Sequence, residues 1–169
     1  MSNSSKVNNS TIELKDFDFL IGKWTVINKR LKERLKNNTD WIEFSAEMET
    51  KPFLNGLGLM DEMKSSHFGD EFIGFSIRMI NPQTNIWKIY WADTSAPENY
   101  LKEQVVGEFK NGIGEFFGKE QYQGKEYKLR FTWIKESENT AKWAQAYFDE
   151  KKNEWETNWT MEFTKENEE

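Results

Sequence analysis

From residue 40 onward, apolar and polar side chains alternate along the chain with a period of two. Turn-forming residues interrupt this alternation about every eight to twelve positions, a spacing typical of all-β sandwiches and barrels. Alternation with a period of two places successive side chains on opposite faces of a strand. The clearest predicted strands cover residues 41–50, 72–80, 87–91, 126–135 and 155–164.

The predicted strands can each be divided into an apolar and a polar face. In the last strand, Trp155, Trp159 and Phe163 share the apolar face. In the strand over residues 72–80, the apolar face holds Ile73, Phe75, Ile77 and Met79. The apolar faces are expected to point into the protein interior.

Two arginines lie within predicted strands, where a cation could bind an anionic ligand if it faced inward. Arg78 has the parity opposite to the apolar face of its strand, and Arg130 has the parity opposite to its aromatic neighbours. Both are therefore expected on the outer surface, exposed to solvent or stacked on an outer aromatic ring. The basic run over residues 29–36 is likewise interpreted as a solvated strand face.

Short connectors join the predicted strands, and they are rich in Asn, Gly, Asp, Ser and Pro. Consecutive strands joined by short loops must be antiparallel neighbours. Counting from Lys23 gives about ten strands. An open meander of that size would expose two long edges, which closure removes. The sequence thus predicts a single up-and-down antiparallel β-barrel.

The N-terminal segment is predicted to differ from the rest of the chain. Residues 1–10 are polar and are expected to form a disordered lead-in rather than a signal peptide, with a barrel domain over residues 11–165. A short helical turn is predicted over residues 12–21, with Thr11 as its cap and Gly22 at its end. Residues 27–36 fit a helix or a strand, and the turn after them favours a strand.

Composition and charge exclude several classes of site. Cysteine is absent, which excludes disulfides, zinc–thiolate sites and iron–sulfur clusters. His67 is the single histidine, so no site within the chain can use two histidines. A net charge of −6 argues against a nucleic-acid partner. No apolar run approaches the roughly 20 residues of a membrane span. We therefore expect no membrane partner and a cytoplasmic location.

Aromatic residues make up 15% of the chain, and they suggest a ligand cavity. A barrel of about ten strands has more interior than side chains alone easily fill. Inward rings would then wall an apolar pocket in which a few polar groups orient the ligand. The alternative is that the same rings simply fill the barrel. The predicted ligand-binding residues are Trp87, Trp91, Trp133, Trp143, Gln145, Tyr147 and Trp159.

Motifs in the same region resemble those of a known family. Gly22-Lys23-Trp24, after a short helical turn, is similar to the Gly-x-Trp that opens the first strand of the lipocalin and calycin superfamily. The chain from about Phe17 to Thr164 resembles a bacterial group of calycin-like domains of unknown function, family 1579. Its further motifs recur in order as Gly74-Phe75-Ser76, Asn81-Pro82, Trp87 to Asp93, Gly118, Tyr122, Gly124-Lys125, Leu129-Arg130-Phe131, Trp133, Trp143, Asp149 and Trp155.

The resemblance implies a barrel whose closed end is plugged by Trp24 and whose interior takes a small hydrophobic or planar ligand. It leaves the identity of that ligand open. Haem-binding barrels that resemble this chain carry their histidine ligand late in the chain, where this sequence has none. Haem is therefore disfavoured, and no cofactor or metal is predicted.

His67 is the residue on which a hypothesis of enzymatic function would depend. It could act as a general base oriented by Asp61 or Asp70, but the polar loop around it favours an exposed loop histidine. No catalytic residue is predicted. The sequence therefore favours a small-ligand-binding barrel without catalytic function. An enzyme that uses His67 or a buried carboxylate in the same cavity, and a filled barrel that acts as a structural or homodimerising module, stay as alternatives.

Overall fold

Ten antiparallel strands close into one barrel in the computed structural model, which describes residues 16–67 and 72–168. Each consecutive pair of strands is hydrogen-bonded, as the short connectors predict. The strands are β1 (Gly22–Leu31), β2 (Trp41–Phe53), β3 (Gly58–Ser65), β4 (Phe72–Asn81), β5 (Ile86–Asp93), β6 (Lys102–Lys110), β7 (Ile113–Tyr122), β8 (Lys125–Lys135), β9 (Thr140–Asp149) and β10 (Glu154–Lys165).

The first and last strands close the barrel. β1 pairs with β10 from Trp24 opposite Lys165 to Arg30 opposite Trp159, while its other edge pairs with β2. The predicted all-β, up-and-down antiparallel barrel is confirmed. The strand predicted over residues 27–36 ends at Leu31.

Helix is confined, within the described residues, to two 3-10 turns, Asp18–Leu20 and Leu54–Gly56. The first of these lies inside the helical turn predicted over residues 12–21. The predicted cap at Thr11 and the predicted lead-in over residues 1–10 lie outside the described residues. No helix in the described part of the chain has the length and hydropathy of a membrane-spanning segment.

One end of the barrel is plugged by the chain that leads into β1. The Trp24 indole Nε1 donates a hydrogen bond of 2.7 Å to the carbonyl of Leu20, and the indole is buried. Phe17 is fully buried and packs edge-on against Trp87 and Phe109, with ring centroids 4.9 Å and 4.8 Å away. Trp24 therefore has the plugging position that the resemblance implies. We call this the closed end, and the opposite end the mouth.

The structure reverses the predicted faces of β4. Its inward side chains are buried and include Ser76 and Arg78, whereas the apolar set Ile73, Phe75, Ile77 and Met79 points outward. The prediction that Arg78 faces solvent is therefore wrong. The inner face is polar because Arg78 pairs with Asp61 on β3. It also needs Gly74, since a Cβ there would lie 2.1 Å from the Trp91 ring.

A bulge in β10 changes which of its residues face inward. The register with β9 shifts between Thr157 and Trp159, so that Asn158 is an extra residue. Trp159 faces the interior as predicted, but Trp155 lies outside, 5.3 Å from the Phe148 ring. The Arg130 guanidinium stacks over Trp155 at 4.7 Å, which confirms its predicted place on an outer aromatic ring.

Candidate ligand-binding cavity

The barrel encloses a cavity of about 370 Å³ that opens at the mouth. This volume lies within the range of sites that hold small molecules. Six of the seven residues predicted to bind a ligand line it: Trp91, Trp133, Trp143, Gln145, Tyr147 and Trp159. The structure thus brings them together around one space, and their role in binding stays a prediction.

Trp87, the seventh, does not line the cavity. It faces inward like Trp91, but it lies nearer the closed end, where Phe17 packs against it. Its indole Nε1 donates a hydrogen bond of 3.1 Å to the carboxylate of Asp16. The alternation within β5 predicts its direction correctly, but not that the N-terminal segment fills the barrel at that height.

One side of the cavity is an aromatic wall, built from the inward side chains of β8, β9 and β10. Its members are Phe131, Trp133, Trp143, Tyr147 and Trp159. Phe131 and Trp143 pack edge to face at 4.9 Å, and Trp143 packs against Trp159 at 5.8 Å. The Trp159 indole Nε1 donates to the side-chain oxygen of Asn28 at 2.9 Å, which fixes the orientation of that ring.

The opposite side has a polar wall, in which Asp61 and the β4 residues Ser76 and Arg78 line the cavity. Thr50 on β2 is buried beside Asp61 and extends this polar wall without lining the cavity. Thr50 lies directly opposite Asp61, and Asp61 lies opposite Ser76, so three of the four form one row across the strands. All four side chains are buried. The carboxylate of Asp61 and the guanidinium of Arg78 form an ion pair within this wall.

The polar wall was not predicted from the sequence, although the sequence contains one signal for it. Asp61 alternates with Leu59 and Met63, two apolar residues whose side chains are buried. A carboxylate on the apolar face of a strand is expected to be buried, and a buried charge requires a partner. Arg78, on the neighbouring strand β4, is the cation that meets this requirement.

Arg78 lies at the floor of the cavity, next to the plug. Its guanidinium carbon is 5.4 Å from the Phe17 ring centroid and 5.2 Å from that of Trp133. The Arg78 Nε and the Trp133 Nε1 are both buried, and neither has a hydrogen-bond partner within the described residues. Two unused hydrogen-bond donors therefore lie on neighbouring side chains that line the floor.

Two arginines from the basic run over residues 29–36 line the cavity near the mouth. Arg34 Nη1 donates a hydrogen bond of 2.6 Å to the hydroxyl of Tyr147, and the Arg30 guanidinium lies 5.3 Å from the Trp159 ring. Burial and the nearby charge of Arg34 lower the pKa of Arg30. Burial raises the pKa of Tyr147, although Arg34 opposes the shift. The interpretation of the whole run as a solvated face is therefore wrong for Arg30 and Arg34.

His67 lies apart from this cavity. Its side chain is exposed, its ring stacks on Phe44 with centroids 4.3 Å apart, and it is not among the residues that line the cavity. Asp61, one of the two carboxylates considered as its orienting partner, is paired with Arg78. The other, Asp70, lies outside the described residues.

Asp93 holds Trp91 at the mouth, and this contact predicts a pH effect. The Trp91 indole donates to the Asp93 carboxylate at 2.9 Å. Burial alone would raise the pKa of Asp93, but hydrogen bonds from Ser95 and Trp91 outweigh it and the pKa is lowered. The resulting stabilisation is complete above the unfolded pKa of about 3.9 and is lost as the pH falls through the lower folded value.

We therefore expect Asp93→Asn to lower the thermal unfolding midpoint at pH 7. The difference from the wild type should shrink at a pH well below about 3.9, because the stabilisation by the wild-type carboxylate is lost as the pH falls through its lowered folded pKa. Thermal unfolding of both proteins at the two pH values measures this. An equal difference at both values would contradict the assigned role of the Asp93 charge.

Comparison with known proteins shows the fold of this chain and nothing more specific. The sequence matches no protein-family model, and no similar curated protein was found. Rv2717c from M. tuberculosis has a similar structure, with a TM-score of 0.58 and 11% identity over 89% of this chain and 95% of that one. A redesigned β-barrel, b11L5F_LGL, has a TM-score of 0.49 and 10% identity over 90% and 96% of the two chains. EF1p2_mFAP2b bound to DFHBI gives 0.46 and 11% over 89% and 97%.

Proposed function

We propose that this protein binds a small, planar and largely apolar molecule inside the barrel. The observation that carries the proposal is a cavity of about 370 Å³ between an aromatic wall and a buried polar wall. The Trp143 and Trp159 rings are nearly perpendicular, so a flat molecule would stack on one of them and pack against the edge of the other. Its polar edge would face Asp61, Ser76 and Arg78. The apolar contact would supply affinity, at about 25 cal/mol for each Å² buried, and the polar wall would supply orientation.

We also infer that the chain is a calycin-type barrel, similar to family 1579, with its domain over residues 11–165. Two details support the resemblance. Gly22 has a φ of +123°, a conformation that favours glycine, where the chain turns into β1. Trp24 follows at the closed end, hydrogen-bonded to the turn before it. These are the positions that Gly-x-Trp occupies in that superfamily.

The proposed site can be tested by filling it. Ser76 is buried in the polar wall opposite Trp91 in the strand register, so Ser76→Leu would place a larger side chain in the cavity. The titration uses 2-acetylnaphthalene as the probe and quenching of tryptophan fluorescence as the signal. We expect wild-type protein to bind the probe and Ser76→Leu to bind it about tenfold more weakly. The larger side chain would occupy space that the probe needs, and a misfit of this size in an apolar pocket costs about 1–3 kcal/mol.

His67→Ala is the matched control for this titration, because it removes the side chain on which the enzymatic alternative depends. Its affinity for the probe should stay within about twofold of the wild type. Mass spectrometry of small molecules released by denaturing the purified full chain would identify a retained natural ligand. Unchanged binding by a folded Ser76→Leu protein would contradict a site inside the barrel. Lost binding by His67→Ala would instead support the alternative of an enzyme that uses His67.

A further inference from the structure

We propose that the floor of the cavity recognises a neutral carbonyl oxygen, so that the ligand is a planar ketone, amide or lactone rather than a carboxylate. The recognising groups are the Nε–H of Arg78 and the indole N–H of Trp133. This inference rests on the proposed function, since it names the chemical class of the molecule that the same cavity would hold.

Arg78 and Trp133 each carry a hydrogen-bond donor that is unused. An arginine Nε and a tryptophan Nε1 can donate hydrogen bonds but cannot accept them. Both are buried here without a partner among the described residues, whereas buried polar groups in proteins are nearly always hydrogen-bonded. Their side chains are in contact, with the Arg78 guanidinium 5.2 Å from the Trp133 ring. An acceptor oxygen on a ligand would satisfy them.

The charges at the floor favour a neutral ligand group there. Asp61 and Arg78 are each only 4% exposed and neutralise one another. A ligand carboxylate at the floor would add a second negative charge beside Asp61. Arg78 already neutralises Asp61, and the neighbours described for this ion pair include no second cation for the ligand. Burying an unpaired charge is strongly unfavourable, whereas a carbonyl accepts hydrogen bonds without adding charge.

The shape of the floor favours a planar ligand. Phe17 and Trp133 lie against the Arg78 guanidinium, and Trp133 is also a member of the aromatic wall. A carbonyl attached directly to a flat ring system could approach the two donors while its ring packs on that wall. This geometry distinguishes planar carbonyl compounds from flexible chains that end in an acid.

Three probes of similar size and shape test the inference. They are 2-acetylnaphthalene, which has a neutral carbonyl, 2-ethylnaphthalene, which has no acceptor, and 2-naphthoate, which has a carboxylate. We expect the acetyl compound to bind about three- to tenfold more tightly than the ethyl compound, the contribution typical of one neutral hydrogen bond. The carboxylate should bind most weakly of the three.

The Trp133→Phe variant removes one donor and keeps an aromatic ring, and Trp155→Phe, which makes the same change on the outer surface of the barrel, is its matched control. Trp133→Phe should reduce the preference for the acetyl over the ethyl compound by at least about threefold. Trp155→Phe should leave that preference unchanged. Equal binding of the three probes, tightest binding of the carboxylate, or an unchanged preference in Trp133→Phe would overturn the inference alone. Failure of all three probes to bind would contradict the proposed function, and this inference with it.

Discussion

Replacing Arg78 with methionine is expected to lower the free energy of unfolding by about 3–5 kcal/mol. The substitution would leave the Asp61 carboxylate buried in the polar wall without its cation. It would also remove the contacts of the guanidinium with the Phe17 and Trp133 rings. Urea denaturation of both proteins at pH 7 measures the difference.

Two further variants separate the buried charge from the loss of a side chain. Arg130→Met removes an arginine that stacks on Trp155 outside the barrel, and we expect it to lose only about 1 kcal/mol or less. The double variant Asp61→Leu with Arg78→Met removes both charges and should recover most of the stability lost by Arg78→Met. A single Arg78→Met variant as stable as Arg130→Met would contradict the buried pair.

Replacing Phe17 with alanine is expected to cost about 3–5 kcal/mol of unfolding free energy. Phe17 is fully buried at the closed end, where its ring packs edge-on against Trp87, Phe109 and Trp133. Its removal would leave a cavity beneath the Arg78 guanidinium. Thermal and urea unfolding, followed by tryptophan fluorescence, would measure the loss.

Phe117→Ala is the matched control for this prediction. It makes the same truncation on the outer surface, where Phe117 is 48% exposed and lies 6.2 Å from the Trp155 ring. Its effect should stay below about 1 kcal/mol, as is usual for surface substitutions. A Phe17→Ala variant that is no less stable than Phe117→Ala would show that the N-terminal segment does not plug the barrel.

The barrel could be predicted from the sequence because alternation and short connectors are local signals. Alternation with a period of two marks each strand, and a short connector forces the next strand to lie beside it. Closure then follows from the number of strands and the need to remove free edges. The pairing of β1 with β10 is the result of these rules and needs no knowledge of individual side-chain contacts.

The same rules could not predict which face of β4 points inward, because the more hydrophobic face of this strand is the outer one. Hydrophobicity alone places Ile73, Phe75, Ile77 and Met79 inside. The true inner face depends on two contacts across strands, the ion pair of Arg78 with Asp61 and the Trp91 ring against Gly74. The buried carboxylate of Asp61 on β3 requires a cation, and this requirement identifies the face of β4 that carries Arg78 as the inner one.

Two other errors arise from geometry that alternation does not encode. The bulge at Asn158 inserts one residue into β10, so Trp155 and Trp159 face opposite sides although they are four residues apart. Trp87 and Trp91 face the same way on β5, but only Trp91 reaches the cavity because the plug fills the barrel beside Trp87. Alternation predicts the direction of a side chain but not its height in the barrel.

The most direct test of binding between the two walls is two-dimensional NMR of the eight indole N–H groups during titration with 2-acetylnaphthalene. The cavity is lined by Trp91, Trp133, Trp143 and Trp159, whereas Trp24, Trp41, Trp87 and Trp155 do not line it. We expect the four cavity resonances to shift, with the largest change at Trp133, and the signals of Trp41 and Trp155 to stay in place. Shifts that favour Trp41 or Trp155, or no shift at the four cavity indoles, would contradict an interior site.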